Sequence, residues 1–166
     1  MSKLSQGTGP AEAPVAVQPR STNPAALIPE AWEGIQKLLV AVRKGGLPAN
    51  TLELTHMRAS QINGCSACVE GAIRHAHRSG ELDERLLMVA AWQRSSRFTD
   101  AERAALELTE EMTRLADRSD PVPDETWARV VEHYDERSLA ALVLHVALTN
   151  VFNRLNVATR QPAGDW

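Results

Sequence analysis

The chain has 166 residues, of which 43% are hydrophobic, and a formal net charge of −3 at pH 7. This length suits one domain with a hydrophobic core rather than two domains. The slightly negative charge argues against nucleic acid as the main partner, because no basic stripe is available to neutralise phosphates. The apolar runs are shorter than the roughly 18 residues needed to span a bilayer. Neither a nucleic-acid nor a membrane partner is therefore expected.

Residues 1–23 are predicted to form a disordered N-terminal arm. Pro10, Pro14 and Pro19 interrupt the segment, and its apolar surface is too small to offset the entropy lost on ordering. It also lacks the basic start and apolar stretch of a signal peptide. A cytoplasmic location is the resulting expectation, and cysteines there remain reduced unless they take part in redox chemistry or bind a metal.

Helical periodicity dominates from residue 24 to residue 160, which is the predicted domain, and residues 161–166 are a predicted tail. Apolar residues recur at helical spacing over 28–42, and Gly45-Gly46 ends this pattern. Further helices are expected over 48–64, from the cysteine pair to Gly80, and from Asp83 onward.

The second half of the chain continues this helical pattern. Thr99-Asp100-Ala101-Glu102 reads as a capping box, in which the hydroxyl and the carboxylate satisfy free backbone donors reciprocally. Asp124 opens another predicted helix, and the last one runs from about Glu136 to Ala158. No period-two alternation of a strand is evident. The sequence therefore predicts an all-α helical bundle.

The two cysteines lie three residues apart, as Cys65 and Cys68, directly after Asn63-Gly64. Such a pair can cycle between dithiol and disulfide, or supply half of a soft-metal site. We expect the next helix to begin at Cys65, so that both sulfurs lie in its first turn. Free N–H groups and the helix dipole favour the nucleophilic thiolate there, most strongly for the cysteine nearest the helix end.

Glu53 precedes Cys65 by twelve residues. A carboxylate near the start of a helix is most often a favourable partner of the helix dipole. The functional alternative is a tight helix–turn–helix that returns Glu53 to the thiols, where it would accept a proton from a cysteine.

The string Ser60-Gln61-Ile62-Asn63-Gly64-Cys65-x-x-Cys68, with the upstream Glu53-Leu54, resembles the core of the alkylhydroperoxidase AhpD-like, carboxymuconolactone decarboxylase family. The likeness continues through Ala91-Trp92, the segment from Phe98 to Leu106, and Asn150-x-x-Asn153-Arg154, and it covers roughly residues 28–160. It implies an AhpD-like helical fold, a homo-oligomer such as a trimer or hexamer, and thiol-dependent reduction of hydroperoxides. A thiol or lipoyl-type partner would recharge the enzyme.

The resemblance also implies roles for single residues. Cys68 would attack the peroxide, Cys65 would resolve the sulfenic acid, and Glu53 would act as the relay base. The family pattern usually has a histidine four residues after the second cysteine, where this chain has Ala72. Losing one acid–base group costs roughly 10²–10⁴ in rate, so weak activity is expected unless another histidine substitutes.

Two histidines are candidates for that role. His75 follows Ala72 by one turn on the same helical face, although it is about 10 Å along the axis from Cys68. His56 follows Glu53 by one turn and would approach from the preceding helix. His145, within the apolar last helix, is more easily explained as a core or interface group.

Three alternatives to a peroxidase remain open at this stage. One is a thiol–disulfide oxidoreductase that uses the same cysteine pair. Another is lactone decarboxylation, although the branch of the family with that activity does not carry this pair. The third is a non-catalytic or metal-binding oligomeric module, although one helix could not place four ligands around a zinc ion. No phosphate loop or dinucleotide fingerprint is present, so no cofactor is expected.

Overall fold

A computed structural model describes residue 15 and residues 17–79 and 84–163. Over these residues the chain forms eight α-helices and no strand, which confirms the predicted all-α fold. The helices are α1 (Pro24–Leu27), α2 (Pro29–Arg43), α3 (Ala49–Ile62), α4 (Ser66–Ser79), α5 (Glu84–Met88), α6 (Asp100–Thr113), α7 (Asp124–Val131) and α8 (Glu136–Ala158). A 3-10 helix, Val89–Arg94, follows α5.

The predicted capping box starts α6. The Thr99 hydroxyl accepts a hydrogen bond from the backbone N–H of Glu102 at 3.2 Å, and the Glu102 carboxylate accepts one from the Thr99 N–H at 2.9 Å. Arg85 donates to the same carboxylate at 2.8 Å. The expected cap at Asp83 lies outside the described residues, and the segment after α5 kinks at Ala91 and continues as the 3-10 helix.

The last helix, α8, is the central element, since it packs against α2, α3, α4, α6 and α7. Its length and composition would also suit a membrane span, but much of it is buried within the bundle. One core cluster joins α6, α7 and α8 through Leu108, Val130, Leu142 and Val146. A second joins α3 to α5 and α6 through Leu54, Leu86 and Leu106. The fold is therefore that of a helical bundle built around α8.

The apolar pattern of α2 predicted the helix but not its environment. Val42 is the buried residue of this helix, whereas Trp32, Leu38 and Val40 are nearly half exposed. Their apolar surface is thus left uncovered by the rest of the described chain.

The predicted disordered arm lies mostly outside the described residues. Its described end runs beside the C-terminal end of α8, where the Arg20 N–H donates to the Thr159 carbonyl at 2.8 Å. The Asn23 side chain donates to the Asn156 carbonyl oxygen Oδ1, also at 2.8 Å. The N-terminal segment thereby reaches the helix that flanks the cysteine pair.

Candidate active site

The turn between α3 and α4 places the two cysteines. Gly64 adopts a positive φ of 64°, a left-handed conformation that glycine accepts without strain. The N–H groups of Gly64 and Cys65 then bond the carbonyls of Gln61 and Ser60, at 3.2 and 3.0 Å. This is the Schellman pattern that ends a helix. The Asn-Gly-Cys sequence therefore stops α3 and starts α4 within three residues.

The structure joins Cys65 and Cys68 by a disulfide, with their Cα atoms 5.3 Å apart. Cys65 directly precedes α4, and its sulfur accepts the backbone N–H of Cys68 at 3.3 Å. It thus occupies the position of a helix cap, and α4 begins at Ser66, one residue after the predicted start. Cys68 lies in the first turn, as expected. Both side chains are buried, Cys65 being 2% and Cys68 8% exposed.

The sulfur of Cys68 faces two asparagine side chains from α8. The Nδ2 atoms of Asn153 and Asn156 lie 3.1 and 3.4 Å from this sulfur. Asn156 is farther from the Cys65 sulfur, at 3.9 Å. Amide N–H groups stabilise a thiolate more than a thiol, because donors to an anion form the stronger hydrogen bonds. In the reduced protein these amides therefore favour the nucleophilic form of Cys68.

A hydrogen-bond network fixes the orientation of both amides. The Oδ1 atom of Asn153 accepts from Asn63 Nδ2 at 2.8 Å, while its Nδ2 also donates to the Ser60 hydroxyl at 3.1 Å. The Oδ1 atom of Asn156 accepts from Asn23. Because the oxygens are occupied by donors, the NH₂ groups must face the sulfurs.

A pocket of about 320 Å³ opens beside Cys68. It is built by α3, α4 and α8, and its lining residues are His56, Ala67, Cys68, Gly71, Ala72, Arg74, Arg78, Phe152 and Asn156. Ala72, which stands where the family pattern has a histidine, is thus part of the wall. A second pocket, of about 290 Å³, lies on the Cys65 side and includes Ser66, Val157 and Arg160.

His56 is the histidine that lines the pocket at Cys68. Burial lowers its pKa, and this effect outweighs the contact with the Cys68 backbone, which raises the pKa. The ring is therefore neutral at neutral pH, as an acid–base group must be to accept a proton. Its Nδ1 atom lies 3.5 Å from the Thr149 hydroxyl.

His145, on α8, has its ring centroid 6.4 Å from that of His56. Its Nε2 atom is 2.9 Å from the Leu52 carbonyl oxygen, to which it donates. Burial and the neighbouring His56 lower the pKa of His145 to about 4. It is a hydrogen-bonded interior group, in line with the interpretation drawn from the sequence.

The structure brings three of the five predicted site residues together: Cys65, Cys68 and His56. Glu53 is partly buried one turn before His56 and is not among the residues that line the pocket. His75 lies on the exposed side of α4, also outside that lining. Across the described ranges, no group of three or more His, Cys, Asp and Glu side chains is placed to hold a metal ion.

Sequence reasoning missed the asparagines at the sulfur. Asn153 entered the sequence analysis only as part of the family resemblance, without a chemical role, and Asn156 did not enter it. Both are buried, as is Asn150, so three amides recur at every third position of an otherwise apolar helix. Buried polar side chains require hydrogen-bond partners, so this spacing on α8 was the signal that could have identified them.

Two curated relatives are similar to a large part of this chain. The uncharacterized protein YdfG of Bacillus subtilis is 33% identical over 132 residues, which cover 80% of this chain and 88% of YdfG. The uncharacterized protein YnjA of Escherichia coli is 35% identical over 112 residues, or 66% of this chain and 59% of YnjA.

Solved structures share the fold. The putative antioxidant defence protein AhpD from Agrobacterium tumefaciens, ATU0492, has a TM-score of 0.79 at 25% identity, covering 90% of this chain and all of that one. The debrominase Bmp8 has a TM-score of 0.70 at 19% identity, over 84% of this chain and 74% of its own. The latter likeness concerns the fold alone.

The family expected from the Cys65–Cys68 motif is also the one whose model matches the sequence. That model, of the carboxymuconolactone decarboxylase family, matches residues 26–111, a segment that includes both cysteines and extends into α6. The chain belongs to the carboxymuconolactone decarboxylase family.

Proposed function

We propose that this chain is a thiol-dependent peroxidase, in which the Cys65–Cys68 pair reduces hydroperoxides. The observation that carries the proposal is the environment of the Cys68 sulfur, which has two amide donors from α8 and an open pocket beside it. The donors favour a thiolate, and the pocket gives a peroxide access to it. The likeness to a putative antioxidant defence protein at 25% identity supports the same reading.

The reaction uses the two thiols as a two-electron donor. The Cys68 thiolate attacks the outer oxygen of R–O–OH, the O–O bond breaks, and R–O⁻ leaves and takes up a proton. Cys68 is then a sulfenic acid. The Cys65 thiol attacks its sulfur, forming the disulfide and releasing water. One hydroperoxide thus yields one alcohol and one water while two thiols become one disulfide.

His56 is the proposed acid–base group, because it lines the pocket in which the alkoxide forms. Its neutral ring takes up the proton of the Cys68 thiol and then donates that proton to the leaving alkoxide. Glu53 is proposed to assist from one turn earlier on α3. His75 has no such placement, since its side chain lies on the exposed side of α4. Because Ala72 replaces the usual histidine, we expect a modest rate of hydroperoxide reduction.

The disulfide must be reduced again after each turnover. A small thiol or a lipoyl-type dithiol is the proposed reductant, and the cytoplasm, with its reducing thiol pool, is the proposed location. We also propose a homo-oligomer. A second copy of the chain would cover the half-exposed Trp32, Leu38 and Val40 of α2, and sedimentation of the purified protein tests this directly.

The experiment mixes reduced protein with cumene hydroperoxide and follows both peroxide and free thiol within one turnover. We expect one equivalent of peroxide to disappear as two thiols are lost. Cys68→Ser should abolish the reaction. Cys65→Ser should still consume one equivalent and leave a sulfenic acid on Cys68 that dimedone traps.

The matched cysteine variants separate the alternatives. If Cys68→Ser consumes peroxide as fast as the unmodified chain, the peroxidase proposal is wrong. If no variant or parent reacts with peroxide but the disulfide exchanges rapidly with dithiols, the protein is a thiol–disulfide oxidoreductase. Decarboxylation of a muconolactone by the Cys65→Ser, Cys68→Ser double variant would instead indicate the other branch of the family.

A further inference from the structure

The pocket beside Cys68 is open where the family pattern would fill it. Ala72 replaces the expected histidine, and Gly71 precedes it. A Cβ atom built on Gly71 meets nothing within 4 Å outside its own helix backbone. Two adjacent small residues on one helix face therefore leave space next to the sulfur for more than a peroxide group.

The outer end of the pocket is positively charged. Arg74 and Arg78 line it, and they follow Cys68 on α4 by six and ten residues. At 1.5 Å per residue their Cα atoms lie about 9 and about 15 Å along the axis from Cys68. Side chains on a helix lean toward its N-terminus, which on α4 is the end that carries Cys68.

The described lining of the pocket carries positive charge. No Asp or Glu occurs among the described residues that line it. Glu70 approaches Arg74 at 3.8 Å, and both side chains are partly solvent-exposed, so this pair contributes little. Since the ring of His56 is neutral at neutral pH, Arg74 and Arg78 are the charged side chains of this described lining.

The wall between the sulfur and the arginines is largely apolar. Phe152 contributes an aromatic ring from α8, and Ala72 contributes a small side chain from α4. A volume of about 320 Å³ lies at the lower end of the range for ligand pockets, so the occupant is a small organic molecule. Its ends must suit a nucleophilic sulfur on one side and cations on the other.

We propose that this pocket selects small organic hydroperoxides that carry a carboxylate, with the peroxide at Cys68, the hydrocarbon body against Phe152 and the carboxylate at Arg74 and Arg78. The inference rests on the proposed peroxidase function and names its substrate class. The carboxylate takes no part in the bond changes. It binds and orients the molecule so that the outer peroxide oxygen faces the sulfur, and the products are the hydroxy acid, water and the disulfide.

The test compares cumene hydroperoxide bearing a para-carboxylate with its methyl ester. These molecules share the peroxide group and differ in charge at the far end. Single-turnover rates with reduced protein are divided by the rates with free cysteine, which corrects for intrinsic reactivity. We expect a preference for the acid of about tenfold, falling as ionic strength rises.

The Arg74→Gln, Arg78→Gln double variant should lose this preference, so that acid and ester react at equal corrected rates. Arg160→Gln is the matched control, because it removes a positive charge from the pocket on the Cys65 side instead. It should keep the preference. Equal rates for acid and ester in the parent, or a preference that the double variant retains, would overturn the inference.

A binding measurement separates this inference from the peroxidase proposal. The oxidised protein is titrated calorimetrically with the product hydroxy acid and with its methyl ester, neither of which reacts. We expect the acid to bind more tightly, with the difference lost in the double variant, and Gly71→Leu to weaken both by filling the pocket. If peroxide is not reduced but the acid still binds through the arginines, the peroxidase proposal fails and the anion site stands. If peroxide is reduced but acid and ester bind alike, the anion site fails alone.

Discussion

The two sulfurs of the disulfide lie one helical turn apart, yet their surroundings differ. Cys65 receives a backbone N–H from α4, as a helix cap does, and is almost fully buried. Cys68 receives two side-chain amides from α8 and borders the pocket that contains His56. Proximity to the helix terminus favours Cys65 as the more acidic thiol, whereas contacts from a distant helix favour Cys68.

The different surroundings suit the two sulfurs to different steps of the proposed reaction. In the proposed reaction, the sulfur that meets the substrate needs access, charge stabilisation and a nearby acid–base group. The pocket, the two amides and His56 are placed to supply these at Cys68. The resolving sulfur needs only to reach Cys68, which Cys65 does across a Cα distance of 5.3 Å. We therefore propose that α3 and α8, rather than the position of each cysteine on α4, decide which thiol attacks the peroxide.

The sharpest test of the Cys68 side is His56→Gln. Without an acid in the pocket, the alkoxide leaves unprotonated, and we expect the peroxide rate to fall about 100-fold. The loss should be greatest for hydroperoxides of weakly acidic alcohols, because these leaving groups depend most on protonation. Stopped-flow measurement of thiol loss provides both rates.

His75→Gln is the matched control on the exposed side of α4. It should react at the parental rate with every hydroperoxide. If His75→Gln loses activity and His56→Gln does not, the acid–base group is on α4, and the assignment of this role to His56 is wrong.

A smaller effect is expected from Asn153→Asp. The substitution keeps the acceptor for Asn63 but replaces the amide donor at Cys68 with a carboxylate, which repels a thiolate. A hydrogen bond to a charged group is worth about 1.5–3 kcal/mol, so alkylation of Cys68 by iodoacetamide at pH 7 should slow at least about tenfold. The midpoint of the alkylation pH profile should move upward, measured in the Cys65→Ser background.

Asn150→Asp places the same charge one turn earlier on α8, where the parent amide bonds Val146 and Thr113 but no sulfur. In this control we expect the midpoint of the alkylation pH profile to move upward by a clearly smaller amount. Equal shifts would mean that the field of any carboxylate in the cluster, rather than the amide contact, sets the reactivity of Cys68.

The sequence predicted the helices well, because the determinants of helix ends are local. The Thr99 capping box and the Gly64 turn each act within a few residues. Assembly of the site depends on contacts that sequence spacing does not encode. Asn153 meets Cys68 across 85 positions, and the rotation of α3 against α4 decides that His56, not His75, lines the pocket. The apolar face of α2 likewise indicates a helix without showing what covers it.

The smallest effect concerns pH and the buried His145, which lies beyond His56 on the Cys68 side. Its pKa is about 4 in the folded chain against 6.5 for the free side chain. Between these values the unfolded chain binds more protons, so stability falls as pH drops from about 6.5 toward 4. This site alone should lower the free energy of unfolding by about 2 kcal/mol between pH 7 and pH 5.

His145→Gln removes this titration, so its free energy of unfolding should change less between pH 7 and pH 5 than that of the parent. Urea unfolding at both pH values measures the difference. His133→Gln is the control, since His133 is exposed and its loss should leave the parental pH dependence intact. His56 acts in the same direction, because burial also lowers its pKa, so acid weakens the α3–α8 contact that holds the Cys68 side together. A parental pH dependence in His145→Gln would show that this histidine does not link protonation to folding.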